Sequence, residues 1–330
     1  MTDTNNNLDG APQGPRPLAD ALEETRARIR QTLDGVDPAL TDIARHLGQS
    51  SGKHIRAALL LSAAADDDSR VEPDAVTAAA ALEILHLATL VHDDVIDDAP
   101  TRRGLPSVQS QFGKKTAVIS GDYLFCLCFS MIAGMSHQYP EQINLFTRAI
   151  SSLCIGELNQ HKHNRDSDLS ILGYMRIISG KTAALFLLAL YAGGLLSGAS
   201  EKQCRLLGRI GFAIGMLFQL VDDCLDYEST SDTLKKSVKH DIAEGVITLP
   251  LIFAMRQDPA LKQLAARSRL TAVEIREAAA TVMQSGGLSK AREVADSYYR
   301  RACRLLEQLD APVKQQQIRQ LLDQIHTRRH

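Results

Sequence analysis

None of the six cysteines, at 126, 128, 154, 204, 224 and 303, falls in a CxxC pair or any other metal-ligand spacing. Most lie in apolar helical runs, where cysteine serves as a small core residue. Net charge is also nearly absent. The 37 Lys and Arg against 39 Asp and Glu leave a formal charge of −2, so nothing draws the chain generally to nucleic acid or a membrane surface. No signal peptide opens the chain, and no apolar span of about 18 residues stands out, which points to a soluble cytoplasmic protein. No stretch alternates with the period of a strand.

What remains is helix. Of the 330 residues 45% are hydrophobic, enough for a large core. The length alone suggests two domains, but no linker breaks the middle of the chain. Residues 1–16 are polar with Gly and Pro, and disorder is expected there. Residues 17–330 then read as one domain. Helical patterns run over 17–34, 36–47, 50–65, 74–98, 116–134, 141–163 and 169–194, and amphipathic helices fill 256–330. The fold expected is an all-α bundle around a central cavity.

The most informative stretch is LHLATLVHDDVIDDAPTRRG, residues 85–104. Asp93 and Asp97 fall on one helix face a turn apart, with Asp94 beside them and His86 two turns earlier. Adjacent carboxylates repel unless a cation sits among them. Mg²⁺, a hard ion that takes oxygen ligands and substrate phosphate together, suits such a cluster. A solvated acidic helix end would look the same. The second stretch, FQLVDDCLDY at 218–227, repeats the spacing at Asp222, Asp223 and Asp226. It follows an apolar run, and charge on a buried helix is costly unless paired or metal-bound. Two such clusters look like two walls of one site.

Cationic residues are spread between them. Lys53 and Arg56 sit three apart at the start of a helix, a place that favours phosphate. Arg102 and Arg103 follow the first cluster, as salt-bridge partners or as a phosphate clamp. Lys181-Thr182 follows Ser179-Gly180, a pair that can kink the most hydrophobic stretch of the chain. Lys181 either meets a phosphate or snorkels to solvent. Glu157 and Gln160 are either supporting polar groups or simply a polar helix face. Lys236, in a polar loop, is the remaining basic residue aimed at the site. Gly208, Gly211 and Gly215 have the spacing that lets a neighbouring helix come close.

Taken in order, GKHIR, DDVIDDAPTRRG, GDYL, GELNQ, GKT, FQLVDDCLDY and GVITLP resemble the trans-isoprenyl diphosphate synthases, and the long-chain octaprenyl and polyprenyl synthases most of all. The motifs cover about residues 45–255. The resemblance implies the isoprenoid-synthase-type bundle, a homodimer, and Mg²⁺ as cofactor, several ions per site, with Mn²⁺ as a possible substitute. It implies that Asp93, Asp94 and Asp97 bind metal with an allylic diphosphate, and that Asp222, Asp223 and Asp226 do so from the facing helix. It implies that Lys53, Arg56, His86 and Arg103 bind isopentenyl diphosphate. Arg102, Lys181, Thr182, Gln219 and Lys236 would serve the allylic substrate. The implied reaction condenses the two and releases pyrophosphate, with membrane contact at most transient for product release.

Two positions depart from the family pattern. Ala57 stands where proline is usual. Val246 stands where a basic residue is usual, with Lys239 or His240 available to supply the charge. Small residues at Thr89 and Ala88, four and five positions before Asp93, imply an open path for the growing chain, with Leu85 or Phe125 as a deeper floor. The expected product is C25 or longer, with C20 as the alternative, and Ala88→Phe is expected to shorten it. Three rival readings remain: a class I terpene cyclase, an HD-type phosphohydrolase suggested by His92-Asp93, and a non-catalytic subunit of a heteromeric prenyltransferase.

Overall fold

The structure, a computed structural model, describes residues 14–49, 52–135, 141–228 and 241–328. Among these the helices run in chain order. They are α1 (Leu18–Asp34), α2 (Thr41–Gln49), α3 (Ile55–Ala64), α4 (Pro73–Ile96), α5 (Val108–Phe112), α6 (Lys114–Gly134), α7 (Glu141–Lys162) and α8 (Ile171–Ile178). Then come α9 (Ala184–Leu196), α10 (Glu201–Glu228), α11 (Leu249–Met255), α12 (Pro259–Ala265), α13 (Ala272–Gln284), α14 (Gly287–Leu306) and α15 (Pro312–His326). The all-α expectation holds. Proline opens α4, α11, α12 and α15 in their first turns, where its missing N–H costs nothing. A Thr271–Glu274 capping box opens α13.

Two short strand pairs were not expected, and both have local causes. Arg16–Pro17 pairs with Arg70–Val71. Arg16 is buried and bonded to Glu24, so order begins before residue 17; residues 1–13 lie outside the described residues. Thr101–Arg102 pairs with Leu105–Pro106 across Arg103-Gly104. Both turn residues take positive φ, 52° and 82°, which is the two-residue turn that matches strand twist.

The apolar residues form two adjoining clusters, and α3 and α9 contribute to both. On α9, Leu185 and Leu188 face the α1–α7 side and Phe186 and Leu190 face α10. Each buried leucine of this kind contributes about 1.5–3 kcal/mol relative to an exposed one. The helix approach expected at the α10 glycines is present. A Cβ on Gly211 would lie 2.3 Å from the Phe186 carbonyl oxygen, and one on Gly215 would lie 2.6 Å from Ala183 Cα.

The expectation of no membrane-length apolar span needs correcting. Four helical stretches are long and apolar enough by length and composition: Pro73–Ile96, Lys114–Gly134, Ile171–Leu196 and Glu201–Glu228. Scattered polar residues hide them from a search for unbroken runs. Three of them are about two-thirds or more buried inside the protein, so their apolar surface is used in packing. Lys114–Gly134 is only 33% buried.

Candidate active site

The aspartate clusters sit at the C-terminal ends of α4 and α10, and three of the six aspartates line one cavity of about 590 Å³. Asp93 and Asp97 line one wall and Asp222 the other. Burial, reinforced by Glu157, pushes the Asp93 carboxyl up to about 7, with Lys181 opposing. Burial pushes Asp222 up to about 6, with Arg328 opposing most. Carboxylates held this far above their usual range are short of positive charge.

The middle aspartate of each cluster lies apart from that cavity. Asp94 is 3% exposed and accepts two hydrogen bonds from Arg102, at 2.8 Å from Nε and 2.5 Å from Nη2. The hairpin after α4 turns Arg102 back onto this carboxylate. Asp223 accepts from the Tyr174 hydroxyl at 2.5 Å and from the Gln219 amide at 2.7 Å. Burial still pushes it up to about 7. Asp223 lines a smaller adjoining cavity of about 190 Å³ together with Asp97, Lys181, Gln219 and Asp241. Asp226 is half-buried, near enough to Asp222, Asp223 and Asp241 to push each of them up.

Lys181 reaches the site through an irregularity in the helix. Residues Ser179–Ala183 form a π turn between α8 and α9, where sequence analysis expected a kink. The turn meets α7 backbone to backbone. A Cβ on Gly156 would stand 2.3 Å from the Lys181 nitrogen, and one on Gly180 would stand 2.6 Å from the Ser152 carbonyl oxygen. That contact brings the Lys181 ammonium within 2.8 Å of Glu157. Burial alone lowers the Lys181 pKa, but Glu157 and Asp93 outweigh it and keep the lysine charged. Glu157 is therefore part of the cavity wall, paired with Lys181, and not merely a polar helix face.

Lys53, Arg56, His86 and Arg103 meet on a third side of the cavity. Arg56 stacks over the Phe186 ring at 4.8 Å, and its Nε is buried without a hydrogen-bond partner. An orphaned guanidinium nitrogen beside a cavity fits an anion. Burial, then Arg56 and Arg103, drive the His86 pKa well below 6.5, so His86 is a neutral imidazole. Lys236, with Lys239 and His240, lies outside the described residues.

Sequence reasoning missed three residues. Glu83 accepts from the Ala57 N–H at 3.0 Å and contacts His54 Nδ1 at 3.2 Å. It thereby ties the start of α3, with Lys53 and Arg56, to α4. Its three-residue spacing from His86 was the available signal. Arg328, just past α15, donates to Asp222 at 2.6 Å and lies 5.5 Å over the Phe218 ring. No local pattern could place it there. Asp241 is a further, half-buried carboxyl beside the second cluster, pushed up by desolvation and then by Asp226 and Asp223.

Of the positions expected to set chain length, only Thr89 lines the cavity, with Leu153 and Leu185 near it. Ala88 and Leu85 are fully buried in the core, and Phe125 packs against the His92 ring at 5.6 Å. The His92 nitrogen lies 3.0 Å from the Val118 carbonyl oxygen, so it serves the α4–α6 contact.

The carboxylates suit Mg²⁺. Among the described residues no three His, Cys, Asp or Glu side chains converge tightly enough to hold an ion alone. A hard divalent ion of this kind binds through one or two carboxylates and completes its shell with water and phosphate oxygen. Protons and metal then compete. As pH falls through 7 toward 6, Asp93 and Asp222 take up protons, so the half-saturating Mg²⁺ concentration should rise. Metal-free stability should move the opposite way. A carboxyl whose pKa is raised in the folded state binds more protons there than in the unfolded chain, so stability falls as pH rises through 7. Mg²⁺ titrations and metal-free melting curves at pH 6 and 8 check both signs.

The chain matches the sequence model of the polyprenyl synthetase family over residues 37–283. It is 33% identical over 300 residues to the nonaprenyl diphosphate synthase of Mycobacterium tuberculosis, covering 88% of each chain. Among solved structures, the heptaprenyl diphosphate synthase of Staphylococcus aureus superposes with a TM-score of 0.89 at 29% identity, over 96% of this chain and 100% of that one. A polyprenyl synthase from Caulobacter crescentus, complexed with calcium and isoprenyl diphosphate, gives a TM-score of 0.86 at 29% identity, over 94% and 96%.

Proposed function

Because the chain belongs to the polyprenyl synthetase family, we propose that it is a chain-elongating prenyltransferase. It joins isopentenyl diphosphate to an allylic diphosphate such as farnesyl diphosphate and makes a trans-polyprenyl diphosphate of C25 or longer. The observation that carries this reading is one cavity with carboxylates on two facing walls and an orphaned arginine on a third.

Mg²⁺ ions, held by Asp93 and Asp97 on one wall and by Asp222 with Asp226 on the other, would neutralise the leaving diphosphate as the allylic C–O bond breaks. Lys181 sits where it can hold that diphosphate, and Glu157 keeps its ammonium charged and in place. Lys53, Arg56 and Arg103 bind the diphosphate of isopentenyl diphosphate. Neutral His86 adds one N–H donor without adding charge. Bound there, isopentenyl diphosphate presents its double bond to the allylic carbon. The new carbon–carbon bond forms, the allylic carbon–oxygen bond breaks, and a proton then leaves to the released diphosphate. No side-chain base is assigned. Thr89, Leu153 and Leu185 give the hydrocarbon an apolar wall that keeps water from the cation.

The same reading makes 17–330 one catalytic domain and the protein a homodimer in the cytoplasm. Val118, Ile119 and Phe129 on α6, with Ile155 and Leu158 on α7, leave a large apolar face exposed that a second copy would cover. All six cysteines are free, as suits a reducing compartment.

The test is incubation of the purified chain with Mg²⁺, farnesyl diphosphate and labelled isopentenyl diphosphate, with products sized by chromatography and the protein sized by sedimentation. A ladder ending in one long prenyl chain, made by a dimer, is the expected result. An inert chain that gains activity only with a second protein would replace this reading with the non-catalytic subunit.

A further inference from the structure

Asp223 spends both carboxylate oxygens inside the protein. Its Oδ2 accepts from the Tyr174 hydroxyl at 2.5 Å and its Oδ1 from the Gln219 amide nitrogen at 2.7 Å. With its nitrogen so committed, Gln219 turns its amide oxygen to Thr182, whose hydroxyl donates to it at 2.6 Å. Tyr174, Asp223 and Thr182 are 3%, 6% and 5% exposed. These bonds run from α8 through two positions on α10 to the π turn that carries Lys181. The hydroxyl proton of Thr182 is used within this line, so Thr182 offers the cavity only lone pairs. It is not poised to donate to a phosphate.

We propose that Tyr174 is a positioning residue. Its hydroxyl holds Asp223 as an internal anchor and not as a metal ligand, and Asp223, through Gln219 and Thr182, sets where the π turn presents Lys181 to the allylic diphosphate. The direction of each bond carries this. A carboxylate with a donor on each oxygen is held in one orientation, and it dictates the orientation of the amide and the hydroxyl beyond it. Each bond of the line joins Tyr174, Asp223, Gln219 and Thr182 to one another, and the line ends at the turn that carries Lys181. The proposal rests on the prenyl-elongation reading above.

The test compares wild type, Tyr174→Phe, Asp223→Asn and the double variant. Binding of an allylic thiodiphosphate and of isopentenyl thiodiphosphate is measured by calorimetry with Mg²⁺, alongside steady-state kinetics. Tyr174→Phe keeps the ring and loses only the donor. It should weaken allylic binding about tenfold, as losing one hydrogen bond to a charged group does, and leave isopentenyl binding unchanged. KM for the allylic substrate should rise in step. Asp223→Asn should give the same split, and the double variant should be little worse than either, because the two act in one line. Equal loss of both ligands in Tyr174→Phe would mean a general structural role and overturn the proposal. Loss of all Mg²⁺-dependent binding in Asp223→Asn, with Tyr174→Phe intact, would make Asp223 a direct ligand and overturn it too. Failure of the wild type to bind either ligand would instead count against prenyl elongation.

Discussion

Asp93→Ala is expected to lower turnover by about a thousandfold while the helical circular dichroism spectrum stays unchanged. The carboxylate lines the cavity on the wall that faces Asp222. Its position beside Lys181 and Glu157 makes it a natural anchor for the leaving diphosphate. Removing it leaves charge developing on the diphosphate with less to neutralise it, and that loss falls on the transition state. The folded state does not need this charge, since burial and Glu157 both disfavour it. Metal-free Asp93→Ala should therefore melt no lower than wild type at pH 8. Asp222→Ala should cost similar turnover but more stability, because it strips Arg328 of its partner at 2.6 Å. Steady-state kinetics at saturating Mg²⁺ and metal-free melting separate the two. Retained turnover in Asp93→Ala would sink its metal role.

The aspartate clusters were legible because their spacing needs only helix geometry, and the helices themselves follow from local pattern. The approach of α9 to α10 was legible for the same reason, since Gly211 and Gly215 mark it directly. What could not be read depends on chain segments far apart. Arg328 reaches Asp222 across 106 positions, and Tyr174 reaches Asp223 across 49. Neither partner leaves a trace in the local sequence of the other. Hence the six aspartates looked equivalent in sequence, although Asp94 and Asp223 are each taken up by hydrogen bonds to protein side chains. The Arg102–Leu105 hairpin is too short to show a strand period. The lower part of α4 failed for a different reason. It is apolar around most of its circumference, so hydrophobic period cannot say which side faces the cavity. Ala88 and Thr89 were therefore indistinguishable until the helices beside them were placed.

That distinction makes Thr89→Phe the substitution expected to shorten the product by one or more five-carbon units. Thr89 lies one turn below Asp93 and lines the cavity near Leu153 and Leu185. Its hydroxyl already donates to the His86 carbonyl oxygen at 2.8 Å, so it shows the hydrocarbon a methyl group. Each methylene moved from water to such a surface contributes about 0.8 kcal/mol, so elongation remains favourable while there is room. A phenyl ring at 89 takes that room, and the chain should be released early with the first condensations still fast. Ala88→Phe is the informative partner. Ala88 is fully buried and away from the cavity, so a ring there must overpack the core, at a cost of about 1–3 kcal/mol. It should lower the melting temperature and leave product length nearly unchanged. Chromatography of the products from both variants, with melting curves beside them, decides between the two faces of α4. Shortening by Ala88→Phe and not by Thr89→Phe would put the growing chain on the other side of the helix, and the wall formed by Leu153 and Leu185 would lose its role.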